Sequence, residues 1–229
     1  MNLIMFDIDG TLTQSCEYDR ELFSLAVTGF LGIGSMDTDW SHYPDATSQG
    51  IASEAILRAT GKKADDTQLH AIEMRFLSHL ESRRRESPDD FREVPGASSL
   101  LRELSARNDI TVSVATGCWF SEATFKLQAS DIQLNEIPMA TSSDELSRKK
   151  IIRASEKKAR GKSGIKKFDT VIYIGDGIWD LRAAKDLRVK FIGVGERIDE
   201  LDKSGSTPLF RDYSDIRLFM KEIDRMVGL

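Results

Sequence analysis

Cysteine is scarce in this chain: Cys16 and Cys118 are the two it has among 229 residues. Two cysteines do not make a disulfide framework in a chain of this size, so the expected setting is reducing, the cytoplasm. Basic charge is not in excess either. The net charge is −5. Nucleic acids and anionic membranes are bound through basic surface, so neither is an expected partner. The compact basic cluster Arg83-Arg84-Arg85 is followed by Glu86, Asp89 and Asp90, the pattern of a solvated face. No stretch approaches the roughly 20 apolar residues of a membrane helix. The N-terminus lacks a basic region followed by an apolar stretch and a small-residue cleavage site. His42, His70 and His79 have no zinc-ligand spacing with either cysteine. Internal repeats and low-complexity segments are also missing.

What is present is an alternation. Short β-branched runs take turns with helical patterns, the mark of βαβ units around a parallel sheet. The predicted strands are Asn2–Asp7, Asp109–Ala115, Glu136–Met139, Asp169–Ile174 and Lys190–Val194. In open parallel sheets, ligands bind at the carboxyl ends of the strands. One interval breaks the alternation: from about Gln14 to Phe91 no strand is evident. Helices are predicted there over Glu21–Leu31, Gln49–Ala59 and Thr67–Glu81, and Val94-Pro95-Gly96 breaks the chain before a helix at Ser98–Arg107. The expected architecture is an α/β core, residues 1–14 and 92–229, with an all-helical domain, residues 15–91, inserted after the first strand.

Four segments carry chemistry. Leu3-Ile4-Met5-Phe6 runs directly into Asp7-Ile8-Asp9-Gly10-Thr11. Two carboxylates two residues apart lie on one side of an extended backbone, and they repel unless a proton or cation sits between them. They have the pattern of a nucleophile and an acid/base group that needs a metal and a phosphate. Val112–Ala115 ends in Thr116-Gly117, a hydroxyl donor and a residue that lets backbone N–H groups approach an anion, with a helix expected from about Phe120. Val171–Ile174 ends in Gly175-Asp176-Gly177, and Asp180 follows. Hard divalent cations take such oxygen ligands, although Asp180 also reads as an acid complementing a helix N-terminus. Ser147-Arg148-Lys149-Lys150 opens a helix after a short strand, and either Arg148 or Lys149 could hold a phosphate and neutralise Asp7.

These residues resemble the haloacid dehalogenase superfamily in its phosphatase branch. Asp7-Ile8-Asp9-Gly10-Thr11 resembles the superfamily's first motif, Thr116-Gly117 its second, and Gly175-Asp176-Gly177-Ile178-Trp179-Asp180 its fourth. The order and spacing match over nearly the whole chain, and the helical insertion resembles the C1-type cap of phosphoglycolate phosphatase-like members. The resemblance implies a Rossmann-like core and a magnesium ion on Asp7, the backbone carbonyl of Asp9, and Asp176, with Asp180 as a ligand or beside it. It implies that Asp7 attacks phosphorus to form an aspartyl-phosphate and that Asp9 moves the protons. Thr116, the Gly117 N–H and a basic residue would hold phosphate oxygens. The third motif departs from the common form of lysine followed by proline, which leaves Arg148 and Lys149 both open.

The cap should set substrate choice. Its loop Asp39–Thr47 carries Trp40, His42 and Tyr43, which could stack on or hydrogen-bond a leaving group or simply pack the cap. Cys118 and Trp119 could border the pocket as well, and Cys118 has no visible base partner that would make it a nucleophile. The expected substrate is a small phosphorylated metabolite, handled by a monomer or homodimer. A phosphomutase would use the same motifs. A halide-removing enzyme would not need Asp9. A phosphonate-cleaving enzyme would need a cap lysine at the site, and Lys62 and Lys63 sit in a charged, exposed-looking segment. A non-catalytic binding module would show decay of at least one reactive position, yet Asp7, Asp9, Thr116 and Asp176 are all present.

Overall fold

The computed structural model describes residues 1–195, Leu201 and 207–229. Six parallel strands form one sheet in the order β3-β2-β1-β4-β5-β6. They are β1 (Asn2–Phe6), β2 (Ile110–Ala115), β3 (Met139–Ala140), β4 (Val171–Gly175), β5 (Lys190–Val194) and β6 (Leu209–Phe210). The α-helices bounded by described residues are α1 (Cys16–Leu31), α2 (Ser48–Thr60), α3 (Asp66–Glu86), α4 (Ala97–Ser105), α5 (Phe120–Ala129), α6 (Arg148–Ser163), α7 (Ile178–Leu187) and α8 (Ile216–Val227). The expected α/β, Rossmann-like class is the one observed.

β1 is central, and its composition explains why. Leu3, Ile4, Met5 and Phe6 are all fully buried. Ile4 and Phe6 point to one face of the sheet, packing with Leu100 and Leu104 of α4 and Phe219 and Ile223 of α8. Leu3 and Met5 point to the other, packing with Ile151 and Ile152 of α6 and Leu181 and Ala184 of α7. A strand covered on both faces cannot alternate apolar with polar residues, so it reads as a continuous apolar run. Burying such a side chain contributes roughly 1.5–3 kcal/mol each.

β3 is shorter than the predicted Glu136–Met139. Pro138 has no N–H to give to a ladder, and its carbonyl accepts from the Val114 N–H at 2.8 Å instead. The pairing is thus confined to two residues at the edge of the sheet.

Helices α1, α2 and α3 lie between β1 and β2 and bury a cluster of their own, with Phe23, Ile56, Phe76 and Leu80 inside. Phe91 and Trp119 pack into the same cluster, which seats these helices on the start of α5. The strand order reverses at β1, with β2 and β3 on one side and β4, β5 and β6 on the other. In such sheets that switch point opens a crevice at the carboxyl ends of the strands. The loops after β1, β2 and β4 meet there, beneath α1 and α2.

Candidate active site

Asp7 follows β1 directly and is 3% exposed. Its Oδ1 lies 3.2 Å from Arg148 Nη1. Burial pushes its carboxyl up to about 7, with Asp180 and Asp9 adding to the shift and Arg148 opposing it. Asp7, Asp176 and Asp180 each bring a carboxylate oxygen to a position within 4.8 Å of the others. Carboxylates gathered this closely repel one another, and a hard divalent cation suits that donor set.

The three are not equivalent. Asp180 is fully buried, and Tyr173 Oη lies 3.0 Å from its Oδ1. The Gly177 N–H donates to its Oδ2 at 3.1 Å, and Arg148 Nε pairs with Oδ1 at 3.2 Å. Its oxygens therefore already serve the protein, and it orients Arg148 and the loop after β4. Asp7 and Asp176 share with Asp180 the group of oxygens that could hold a cation. Gly10, with φ of +70°, makes room for them, since a Cβ there would lie 2.3 Å from Asp176 Oδ2.

Arg148, at the first position of α6, reaches Asp7, Asp180 and the Ala46 carbonyl, the last at 3.2 Å. Burial disfavours its charge, but Asp180 and Asp7 hold it protonated. Lys149 corrects one expectation: its ammonium pairs with Asp186 at 3.0 Å on the half-exposed outer face of the helix. Consecutive helical residues point about 100° apart, so only one of the two can face the site. Thr116 is buried at the end of β2, and a Cβ at Gly117 would come within 2.7 Å of Arg148 Nη2. The guanidinium and the turn after β2 approach closely because that residue is glycine.

Asp9 has different company. Ser15 Oγ donates to its Oδ1. Lys126 Nζ lies 2.8 Å from Oδ1 and 2.9 Å from Oδ2, and Cys118 Sγ lies 3.0 Å from Oδ2. Burial raises its carboxyl, but the Lys126 charge and these hydrogen bonds outweigh that and lower it. Burial and the neighbouring carboxylates raise the Cys118 thiol well above its usual range, so it stays protonated despite Lys126.

Lys126 and the groups around it are what the sequence reading missed. Lys126 is fully buried, pairing also with Asp19 and, at 2.7 Å, with Glu122. Glu122 and Lys126 sit four apart on α5, a spacing that reads as an exposed helix pair. Asp19 fell before the predicted start of α1.

Of the specificity candidates, Trp40 lines the cavity over Asp7 and meets Phe23 edge-on, ring centroids 5.7 Å apart. The others do not line the cavity, and for Tyr43 the packing alternative is the one observed. His42 is exposed and hydrogen-bonds Asp37 at 2.8 Å. Tyr43 is buried within the insert and donates to the Asp37 carbonyl at 2.7 Å. Trp119 stacks on Phe23 inside the helical cluster. The later residues of that loop, Ala46, Thr47 and Ser48, reach the cavity instead, together with Trp179. The cavity holds about 60 Å³, well short of the ~300 Å³ at the low end for small-molecule pockets.

A carboxylate at the end of a central strand, a second two residues on, and an acidic pair facing a buried arginine define a hydrolase-type α/β site. The sequence profile of the haloacid dehalogenase-like hydrolases matches residues 4–194, and the chain belongs to that family. A hydrolase of Pseudomonas syringae is 25% identical, covering 97% of this chain and 99% of that one, with a TM-score of 0.74. A predicted phosphoglycolate phosphatase of Haemophilus somnus is 18% identical over 95% and 97% of the two chains, with a TM-score of 0.59. CbbY of Rhodobacter sphaeroides, solved in complex with phosphate, is 18% identical over 93% and 95%, with a TM-score of 0.68. Comparison with curated proteins finds no match. Among the described residues, no helix is long and apolar enough to cross a membrane.

Proposed function

We propose that this hydrolase is a magnesium-dependent phosphatase acting on a small phosphorylated metabolite through an aspartyl-phosphate on Asp7. The observation that carries the reading is the buried Asp7 carboxylate, facing Arg148 and Asp176 with Asp9 two residues away. Magnesium held by Asp7 and Asp176 would supply the positive charge that lets a phosphate dianion approach two carboxylates.

The chain's own residues do the rest. An Asp7 oxygen attacks phosphorus while the bond to the leaving oxygen breaks, and Asp9 delivers a proton to that oxygen. The incoming phosphate's negative charge raises Asp9 toward the protonated form this step needs. Water then attacks the acyl-phosphate, Asp9 takes its proton, and Asp7 returns as a carboxylate with release of inorganic phosphate. Arg148 and the Thr116 hydroxyl hold the oxygens that do not leave, as donors aimed at developing charge. Residues 15–91 act as the cap over this centre, and the small cavity beneath them means that substrate enters when they move.

The test is hydrolysis of p-nitrophenyl phosphate with and without magnesium, in wild type and Asp7→Asn. Magnesium-dependent release by wild type and its loss in Asp7→Asn support the reading. Equal rates in the two proteins overturn the role of Asp7. A sugar phosphate converted to an isomer without free phosphate would make the enzyme a mutase.

A further inference from the structure

Lys126 has no part in that scheme, yet it touches the group that moves the protons. Its side chain is fully buried among Asp9, Asp19 and Glu122. Asp9, Cys118 and Glu122 converge closely enough to suggest a second metal site, but the Lys126 ammonium already pairs with both carboxylates there and lies 3.8 Å from the sulfur. Buried ion pairs add little net stability compared with apolar packing, so stability alone is a weak account of this one.

The partners come from different parts of the molecule. Asp9 belongs to the loop after β1, where the ammonium reaches both of its oxygens and sets the plane of the carboxylate. Asp19 lies on the first turn of α1, in the insert. Glu122 spends its other oxygen on the Trp119 N–H at 3.0 Å and on Ser48 Oγ at 2.8 Å, the latter on α2 of the insert. One ammonium thus joins the proton-transferring carboxylate to two helices that must shift for substrate to enter.

We propose that Lys126 is a positioning residue: it aims the Asp9 carboxylate at the reacting phosphoryl group and completes its own shell of partners only when the helical insert is closed. The proposal rests on the reading of Asp9 as the acid/base group. A small misplacement of such a group lowers the rate by about a hundredfold without removing the binding contacts.

The experiment is a double-mutant cycle in single-turnover hydrolysis of p-nitrophenyl phosphate with magnesium, using Lys126→Gln, Asp9→Asn and the pair. Lys126→Gln is expected to lower kcat about a hundredfold with KM little changed, and to cost nothing further in the Asp9→Asn background. A folded Lys126→Gln with wild-type kcat overturns the proposal. So do losses that multiply in the double variant, because Lys126 would then act independently of Asp9. Should Lys126→Gln fail to fold, Asp19→Asn tests the same link: a lower kcat, absent in the Asp9→Asn background, supports it, and an unchanged kcat overturns it. Wild-type kcat in Asp9→Asn itself would instead sink the reading of Asp9, a different result from an inert Lys126 beside an essential Asp9.

Discussion

Two carboxylate clusters stand side by side at the end of β1. In one, Asp7 and Asp180 hold Arg148, and an Asp176 oxygen lies within 4.8 Å of oxygens on both. In the other, Asp9, Asp19 and Glu122 surround Lys126. Both contain a carboxylate that burial raises, Asp7 to about 7 and Asp19 to about 8, yet the two groups of the Asp7-Ile8-Asp9 segment shift in opposite directions, Asp7 up and Asp9 down. Geometry accounts for the difference. The guanidinium is a rigid fork whose arms go to Asp7, Asp180 and a carbonyl, so it meets Asp7 through a single nitrogen at 3.2 Å. The ammonium is a point charge on a flexible stem that sits against both oxygens of Asp9. In the first, oxygens of three carboxylates converge within 4.8 Å of one another, as at a cation site. In the second, the ammonium grips both oxygens of Asp9, as the mount of a positioned side chain should.

The largest expected effect breaks the first cluster. Asp7→Asn should lower kcat by at least about four powers of ten, each worth about 1.4 kcal/mol of barrier. The same variant should be more heat-stable than wild type in magnesium-free buffer at pH 8. Between 3.8 and about 7 the folded protein keeps a proton on Asp7 that the unfolded chain has released. Stability from that group is therefore lost as pH rises through the window, and the asparagine escapes the loss. Thermal melts at pH 5 and pH 8 check it: a gap that does not widen at the higher pH would mean Asp7 is not raised. Next in size is Arg148→Met. It should reduce kcat about 10²- to 10³-fold, as removal of one donor to developing charge does. It should also destabilise by about 3–5 kcal/mol, because Asp7 and Asp180 lose their cation. Denaturant titration beside the kinetics separates the two effects.

The two clusters were unequally legible in the sequence. The first could be read because Asp7 and Asp176 each directly follow an apolar strand, β1 and β4, whose buried residues show as short apolar runs. The second is hidden for physical reasons. Glu122 and Lys126 have the i,i+4 spacing of an exposed helix pair, and only the packing of Phe76 and the insert over α5 turns them inward. Asp19 lies on a first turn with little apolar periodicity, which moved the predicted start of α1 past it. The choice between Arg148 and Lys149 depended on the rotation of α6 about its axis, which basic residues in succession do not encode. β6 is two residues long, too short for any period to register. On α8, Phe219, Ile223 and Met226 do follow a helical spacing, a signal that was present and not used.

A smaller effect sharpens the contrast in charge. The proposed magnesium ion on Asp7 and Asp176 would compete with the proton that Asp7 holds below about 7. The rise in Tm on adding magnesium should therefore be larger at pH 8 than at pH 6, by about a few degrees. Asp176→Asn should remove most of that rise at both pH values. If magnesium raised Tm equally at pH 6 and pH 8, cation and proton would not share Asp7.

The smallest expected effects lie in the insert, where aromatic residues close together in sequence face different ways. Trp40 lines the cavity and packs on Phe23, whereas His42 is 62% exposed and tied to Asp37. Trp40→Ala should raise KM several-fold for a substrate whose leaving group reaches the insert, as loss of one apolar contact does. It should leave kcat close to wild type, since the indole is part of no proton or phosphoryl transfer. His42→Ala should change neither constant, because the Asp37 carboxylate it leaves behind is solvated. Steady-state kinetics on a bulky and a minimal phosphate ester decide the matter. A KM effect from His42→Ala, or none from Trp40→Ala with the bulky ester, would mean that the leaving group is read at another part of the loop, around Ala46 and Thr47.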